Sequence, residues 1–275
     1  MKLFTMPESA YLPCRFIRIV WRIILRRLRE VRELLNLIEA EILKLRKSKM
    51  VWILTVIVWA VPGLLIIKEL FIVSALNYDE WIRTMNMFSG ITFSVMNGLF
   101  LTFLVQKEYQ DNTIINVLTA PVIKTAFILE KFLIWVLWNL VLIIGIDGIA
   151  LLGYRLLFPS RFRMADMWAP LLFVTKSCLF QFCSLSPVLY AAVKQKKLFY
   201  PSLLLTLLFA VIGLAAWQTS PQMLVLASII PWSAASVGAM LDPSTPYFYA
   251  AVCSVLICMA TGVVMAVRSF SKQDL

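Results

Sequence analysis

The chain contains no histidine in 275 residues, and only 15% of its residues are charged. The first absence removes the commonest metal ligand and the usual near-neutral proton carrier. The second excludes an ordinary soluble domain, in which about a quarter of residues carry charge. Cysteines are few: Cys14, Cys178, Cys183, Cys253 and Cys258. None forms a CxxC and four lie inside apolar runs, so they read as small buried hydrophobes, and no metal site is expected. Walker A, GxGxxG, GxSxG and HExxH patterns are all missing. A phosphate-cradling loop needs its glycines and lysine. The chain is therefore expected not to be an enzyme, and no cofactor is expected within it. The first 50 residues also lack the short apolar core of a cleavable signal peptide.

What fills the chain instead is apolar. Hydrophobic residues make up 61% and the mean hydropathy is +0.85. They come in blocks long enough to cross a bilayer as helices. Barrel strands would be ~10 residues long with strict alternation, which the runs do not show. The expected fold is an all-α integral membrane protein with six transmembrane helices, at about 50–75, 87–106, 126–152, 168–193, 198–217 and 246–267. Between the last two lies Pro221 to Met240, too short and too interrupted at Pro231 to span. It reads as a re-entrant or interfacial segment, since non-helical backbone at membrane depth must be shielded by protein.

The net charge of +11 does not point to nucleic acid, because of where it lies. Residues 1–49 hold 12 Lys/Arg against 5 Asp/Glu, a net +7. Within them Arg15, Arg18, Arg22, Arg26 and Arg29 recur at helical spacing on one face. Apolar residues and Trp21 fill the remainder, the composition of a basic interfacial helix lying on anionic lipid. A second amphipathic stretch runs from Leu34 to Lys49. The domains are thus read as a cytoplasmic basic amphipathic arm, 1–49, and a six-span transmembrane domain, 50–275. With the arm inside, inner segments carry 19 Lys/Arg and outer segments 4. The positive-inside rule then places both termini in the cytoplasm. Trp81, Trp168 and Trp217 fall near the expected outer interface, where Trp anchors belong.

Two groups of residues carry potential function. Ionisable groups at membrane depth are suspects because burying a charge there costs ~2.5–3.5 kcal/mol. Asp147 and Lys176 fall at similar depth in antiparallel neighbours, where an ion pair is possible. Ser177, Gln181 and Ser184 extend Lys176 into a polar stripe, either a substrate-facing surface or plain interhelical hydrogen bonding. The other group is the polar segment from Val105 to Pro121. Asp111, Asn112 and Thr113 can begin a helix and Pro121 stops one. Ile114, Ile115, Val117 and Leu118 give it an apolar side, suited to a groove on a partner.

The arm ending Ala40-Glu41-Ile-Leu-Lys44-Leu-Arg46-Lys-Ser48-Lys49 before a Trp-bearing first span resembles the start of ABC-2 type transporter permeases. Glu108, Thr113, Leu118, Pro121 and Glu130-Lys131 look like their coupling-helix region. The turn from Leu185-Ser-Pro-Val-Leu-Tyr to Lys197 and Pro201 resembles their fourth-to-fifth span connection. The resemblance runs over about 37–275 and is closest to the bacitracin- and lantibiotic-immunity branch; residues 1–36 depart from it.

The resemblance implies a bacterial cytoplasmic-membrane exporter subunit for a hydrophobic or amphipathic compound, with a peptide antibiotic or toxin-like peptide foremost. It implies a second permease copy and cytosolic ATPase subunits that carry ATP and Mg. By position, Glu108, Tyr109, Asp111, Thr113, Asn116 and Leu118 are the ATPase-coupling candidates. Two other classes remain open: an ion-coupled secondary transporter, which needs a central ionisable relay, and a non-transporting scaffold or immunity protein. Asp111→Lys and Thr113→Trp are expected to reduce ATPase association or transport while the chain still inserts. Normal copurification and normal transport in both variants would refute that.

Overall fold

The computed structural model describes residues 38–72, 77–110, 124–161, 163, 166–195 and 198–272. The interfacial helix carrying Arg15, Arg18, Arg22, Arg26 and Arg29 lies outside the described residues. So do Asp111, Thr113, Asn116 and Leu118. The chain divides into two units, 1–47 and 48–275. The described part of the first is helical over 38–46, with Lys44 Nζ 3.4 Å from Glu41 Oε2 one turn away.

The second unit is built from helices α1 (Lys49–Phe71), α2 (Tyr78–Gln110), α3 (Lys124–Leu157), α4 (Trp168–Ser184) and α5 (Ser186–Gln195). They are followed by α6 (Tyr200–Ala216), α7 (Leu224–Ile229), α8 (Pro231–Met240) and α9 (Pro246–Ser271). Among the described residues there is no strand. Five helical stretches are long and apolar enough to cross a membrane: α1, α2, α3, the α4–α5 pair and α9. The expected fifth span corresponds to α6, which has 17 residues. At ~1.5 Å per residue it is about 25 Å long, the short end of what a bilayer core needs.

The helix starts follow local chemistry. Pro201, Pro231 and Pro246 each open a helix, where the missing N–H costs nothing. Asp79 and Glu80 sit in the first turn of α2 and favour its positive end. That helix begins well before the expected residue 87, because its first turns bury Trp81, Ile82 and Met85 against the bundle while Asp79, Glu80 and Arg83 stay exposed. Asn86, Ser89, Asn97, Thr102 and Gln106 are all buried. Trp81 is also buried, against Tyr78 and Phe158, and is not the interface anchor expected of it. Trp168, by contrast, is exposed.

α2 is the axis of the unit. It packs against α1, α3, α4, α5 and α6. Its most apolar window is 56% buried, against 28% for α1 and for α9. α8 is wedged between α4, α6 and α9. Small residues allow this: Ala234, Ala235, Gly238 and Ala239 are buried. α7 leaves Val225, Leu226 and Ile229 exposed. The bend between α7 and α8 falls at Ile230, whose ψ of 117° is the extended backbone that a following proline favours.

The expected fourth span is broken at Leu185 by Ser186-Pro187. The Val188 N–H donates to Leu185 O at 3.0 Å, three residues back instead of four. Ser184 O therefore loses its helical donor. The Trp232 indole N–H on α8 takes that place at 3.0 Å. On the other side α9 comes close at Gly262, where an added Cβ would lie 2.7 Å from Ser186 C and 2.9 Å from Pro187 N. The Ser186 hydroxyl donates to Cys258 O at 2.9 Å and fastens the same contact. Small residues at such crossings are the usual basis of helix association in membranes. Gly262→Val is expected to cost about 1–3 kcal/mol, the range for overpacking a well-filled contact. Thermal unfolding of the purified chain in detergent measures it, and an unchanged midpoint would show that α5 and α9 can part freely.

Candidate functional site

Glu108 lies in the last turn of α2 and Lys131 in the third turn of α3, so the two face each other across antiparallel neighbours. Lys131 Nζ is 3.2 Å from Glu108 Oε1 and 3.9 Å from Glu130 Oε1. All three side chains are buried, Lys131 with 1% of its surface exposed. Two carboxylates and one ammonium thus share one buried site at the end of the bundle that carries segment 111–123. Charges removed from water persist only when paired and hydrogen-bonded. The Phe127 ring lies 5.1 Å from Lys131 Nζ, within cation–π range. That ring stacks on Phe270 of α9 at 5.1 Å, which joins the last helix to the site.

The sequence assigned Glu108 and Tyr109 to a surface that meets a partner. The structure places both in the last turn of α2, buried, with Glu108 paired to Lys131. Glu130 and Lys131 were visible as a charged dipeptide at the foot of a run. The signal that pairs Lys131 with Glu108 is their position on the two helices that flank one connection.

A second polar region lies further along α2. The Ser94 hydroxyl donates to Gln181 Oε1 at 3.0 Å, and Gln181 Nε2 donates to Ser177 Oγ at 3.3 Å. The Ser184 hydroxyl donates to Gln181 O at 2.8 Å. The structure therefore brings Ser177, Gln181 and Ser184 together and adds Ser94. Gly90 makes room, since a Cβ there would lie 2.4 Å from Gln181 Nε2. The Trp135 indole donates to Asn97 Oδ1 at 2.7 Å, and Thr102 Oγ1 donates to Ser202 Oγ at 3.0 Å. Gln106 Nε2 donates to Leu198 O.

Asp147 and Lys176 are not paired with each other. Thr175 Oγ1 donates to Asp147 Oδ2 at 2.7 Å. Lys176 Nζ donates to Leu241 O at 3.1 Å and lies 5.5 Å from the Phe248 ring. Adjacent residues on a helix point about 100° apart. Thr175, not Lys176, therefore takes the α3-facing direction, and Lys176 turns to cap the end of α8, where a cation is favoured.

The geometry is that of a multi-pass helical bundle whose paired charges flank one connecting segment. Residues 37–213 match the family model described as ABC-2 family transporter protein. The chain belongs to that family, whose members are membrane subunits of ABC transporters and associate with a separate ATPase subunit. It is also similar to the bacitracin transport permease protein BCRB of Bacillus licheniformis, 24% identical over 212 residues. That alignment covers 73% of this chain and 94% of the relative.

Removing one partner from a buried ion pair typically costs about 3–5 kcal/mol. Lys131→Met leaves two carboxylates facing each other and is expected to destabilise by that amount. Glu108→Gln leaves Lys131 beside Glu130 and is expected to cost less. Thermal unfolding of both variants in detergent gives the order. Equal losses would mean that Glu130 offers Lys131 no support.

Proposed function

We propose that this chain is the permease of an ATP-driven exporter in which two permease copies face each other in a bacterial cytoplasmic membrane. Both termini lie on the cytoplasmic side. Two cytosolic ATPase subunits bind and hydrolyse Mg-ATP and grip segment 111–121, where Asp111, Thr113, Asn116 and Leu118 make the contact. The observation that carries this reading is the buried Glu108–Lys131 pair. It ties the two ends of the gripped segment together, so a push there moves α2 and α3 as one body rather than fraying their ends. The basic face of Arg15, Arg18, Arg22, Arg26 and Arg29 rests on anionic lipid.

The cargo is a hydrophobic or amphipathic compound, with a peptide antibiotic or toxin-like peptide foremost. Similarity to a permease named for bacitracin transport supports that class. An ion-coupled mechanism would need a central ionisable relay, and Asp147 and Lys176 do not pair to form one: Asp147 accepts from Thr175 and Lys176 donates to a backbone carbonyl.

Affinity-tagged full chain, purified from its native membrane, is expected to bring down a Walker-motif ATPase, and proteoliposomes of the complex to show ATP-dependent substrate efflux. Lys131→Met, if it still inserts, is expected to lower efflux more than ATPase association. A chain that purifies without any ATPase, from cells that nonetheless resist the peptide, would favour an immunity protein that sequesters its target.

A further inference from the structure

Two cavities of opposite character lie on either side of one aromatic pair. The first is an open groove of about 860 Å³ between α5, α6 and α9. Tyr190, Leu205, Leu208, Ile257 and Thr261 are among its walls, and none of its lining residues is charged. The second is a small chamber of about 20 Å³ between α2, α4, α6 and α8. Ser94, Gln181, Ser184 and Ser236 bring hydroxyl and amide groups to it, again with no charge. Its volume exceeds the ~10–15 Å³ that one water needs.

Phe209 and Trp232 line both cavities. Their rings stack at 4.0 Å with planes 13° apart, so they form the wall between groove and chamber. A single hydrogen bond holds the wall on its α4 side, from the Trp232 indole to Ser184 O at 3.0 Å. The acceptor is the carbonyl that the Ser186-Pro187 break set free.

We propose that groove and chamber form one binding site for an amphiphile with a hydrocarbon chain and an uncharged hydrogen-bonding head. The chain lies in the groove, whose volume falls in the ~300–1,000 Å³ range of small-ligand sites. The head meets Gln181 and Ser94 when the Phe209–Trp232 pair swings aside. A cationic head is refused, because no carboxylate lines either cavity and desolvating a charge without a counter-ion is costly. The site rests on the proposed export of an amphipathic compound and names the chemistry of its cargo. The uncharged lining selects such an occupant over a basic peptide segment.

The test uses the full chain in lipid nanodiscs and two photoreactive probes. Both carry the same diazirine-bearing dodecyl chain, one with an amide head and one with a quaternary ammonium head. The amide probe is expected to label Leu205, Leu208 or Ile257 well above Ile53 and Val56 on the exposed face of α1, as read by peptide mass spectrometry. Ala191→Trp, which fills the groove, is expected to abolish that excess. Phe209→Ala, which removes half of the wall, is expected to let an amide probe whose diazirine sits on the chain carbon next to the head label Ser94 or Gln181. Equal labelling of groove and α1 would mean bulk lipid contact only and overturn the site. Equal labelling by both probes would overturn the role of the chamber, and labelling lost in the dimer but present in the monomer would assign the groove to a second copy. The readout needs no ATPase: labelling without a copurifying motor would leave the site standing and remove the exporter, and the reverse result would remove the site alone.

Discussion

Inside an apolar bundle a polar side chain has no water to turn to, so it is favoured where another helix or its own backbone offers a partner. Most of those on α2 have one, although Trp81 Nε1, Asn86 Nδ2 and Ser89 Oγ are buried without one among the described residues. That constraint sets the place of α2. It is among the less apolar of the long helices, with mean hydropathy 1.7 against 2.5 for α1, and it is the more buried of the two. In water the order would be reversed. Here lipid takes the most apolar faces, such as Trp52, Ile53 and Val56 of α1. The hydroxyls and amides of α2 are enclosed by α3, α4 and α6, through Asn97–Trp135, Ser94–Gln181 and Thr102–Ser202. Each such bond is worth little alone, ~0.6 kcal/mol on average between membrane helices. Together they fix the rotation of α2, because a turn of one residue would strand several donors at once.

The same constraint explains the charged end of the bundle. Three ionisable side chains buried together are tolerable only while Lys131 stays between Glu108 and Glu130. The last turn of α2 and the first turns of α3 are thereby locked in register. Helix ends without such ties fray readily.

Much of this was legible in the sequence because run length and apolarity survive any detail of packing. The helices α1, α3 and α9, and the interruption at Pro231, follow from composition alone. What hydropathy does not encode is which face meets lipid and which meets protein. Trp81 is the clearest case: its place at the end of a run reads as an anchor, while its ring is enclosed beside Tyr78 and Phe158. Asp147 and Lys176 share a depth but not a direction, and depth is all that a run reports. The break at Leu185 left a signal in Ser186-Pro187, yet apolarity continues through it and masks the change of hydrogen bonding. Within the candidate site, Glu108 and Lys131 were both visible as charges at the feet of neighbouring runs. Their contact depends on helical phase, which a run length does not fix.

The break at Leu185 also joins the two polar regions into one mechanical path. Glu108 and Ser94 lie on one continuous helix about 21 Å apart at ~1.5 Å per residue. Ser94 holds Gln181 of α4, the Gln181 carbonyl holds the Ser184 hydroxyl, and the Ser184 carbonyl holds Trp232. A rigid helix transmits displacement without a change of its own bonds, so a shift at the Glu108 end arrives at Ser94 nearly whole. Coupling of this kind requires an element with two arrangements that both ends can bias. The Ser184 carbonyl is where that path meets α8 and α9: it accepts the Trp232 indole at 3.0 Å and, more distantly, the Cys258 thiol at 3.7 Å. A shift of α4 that lengthens the indole bond frees the ring stacked on Phe209, whereas the Gly262 contact holds α5 against α9.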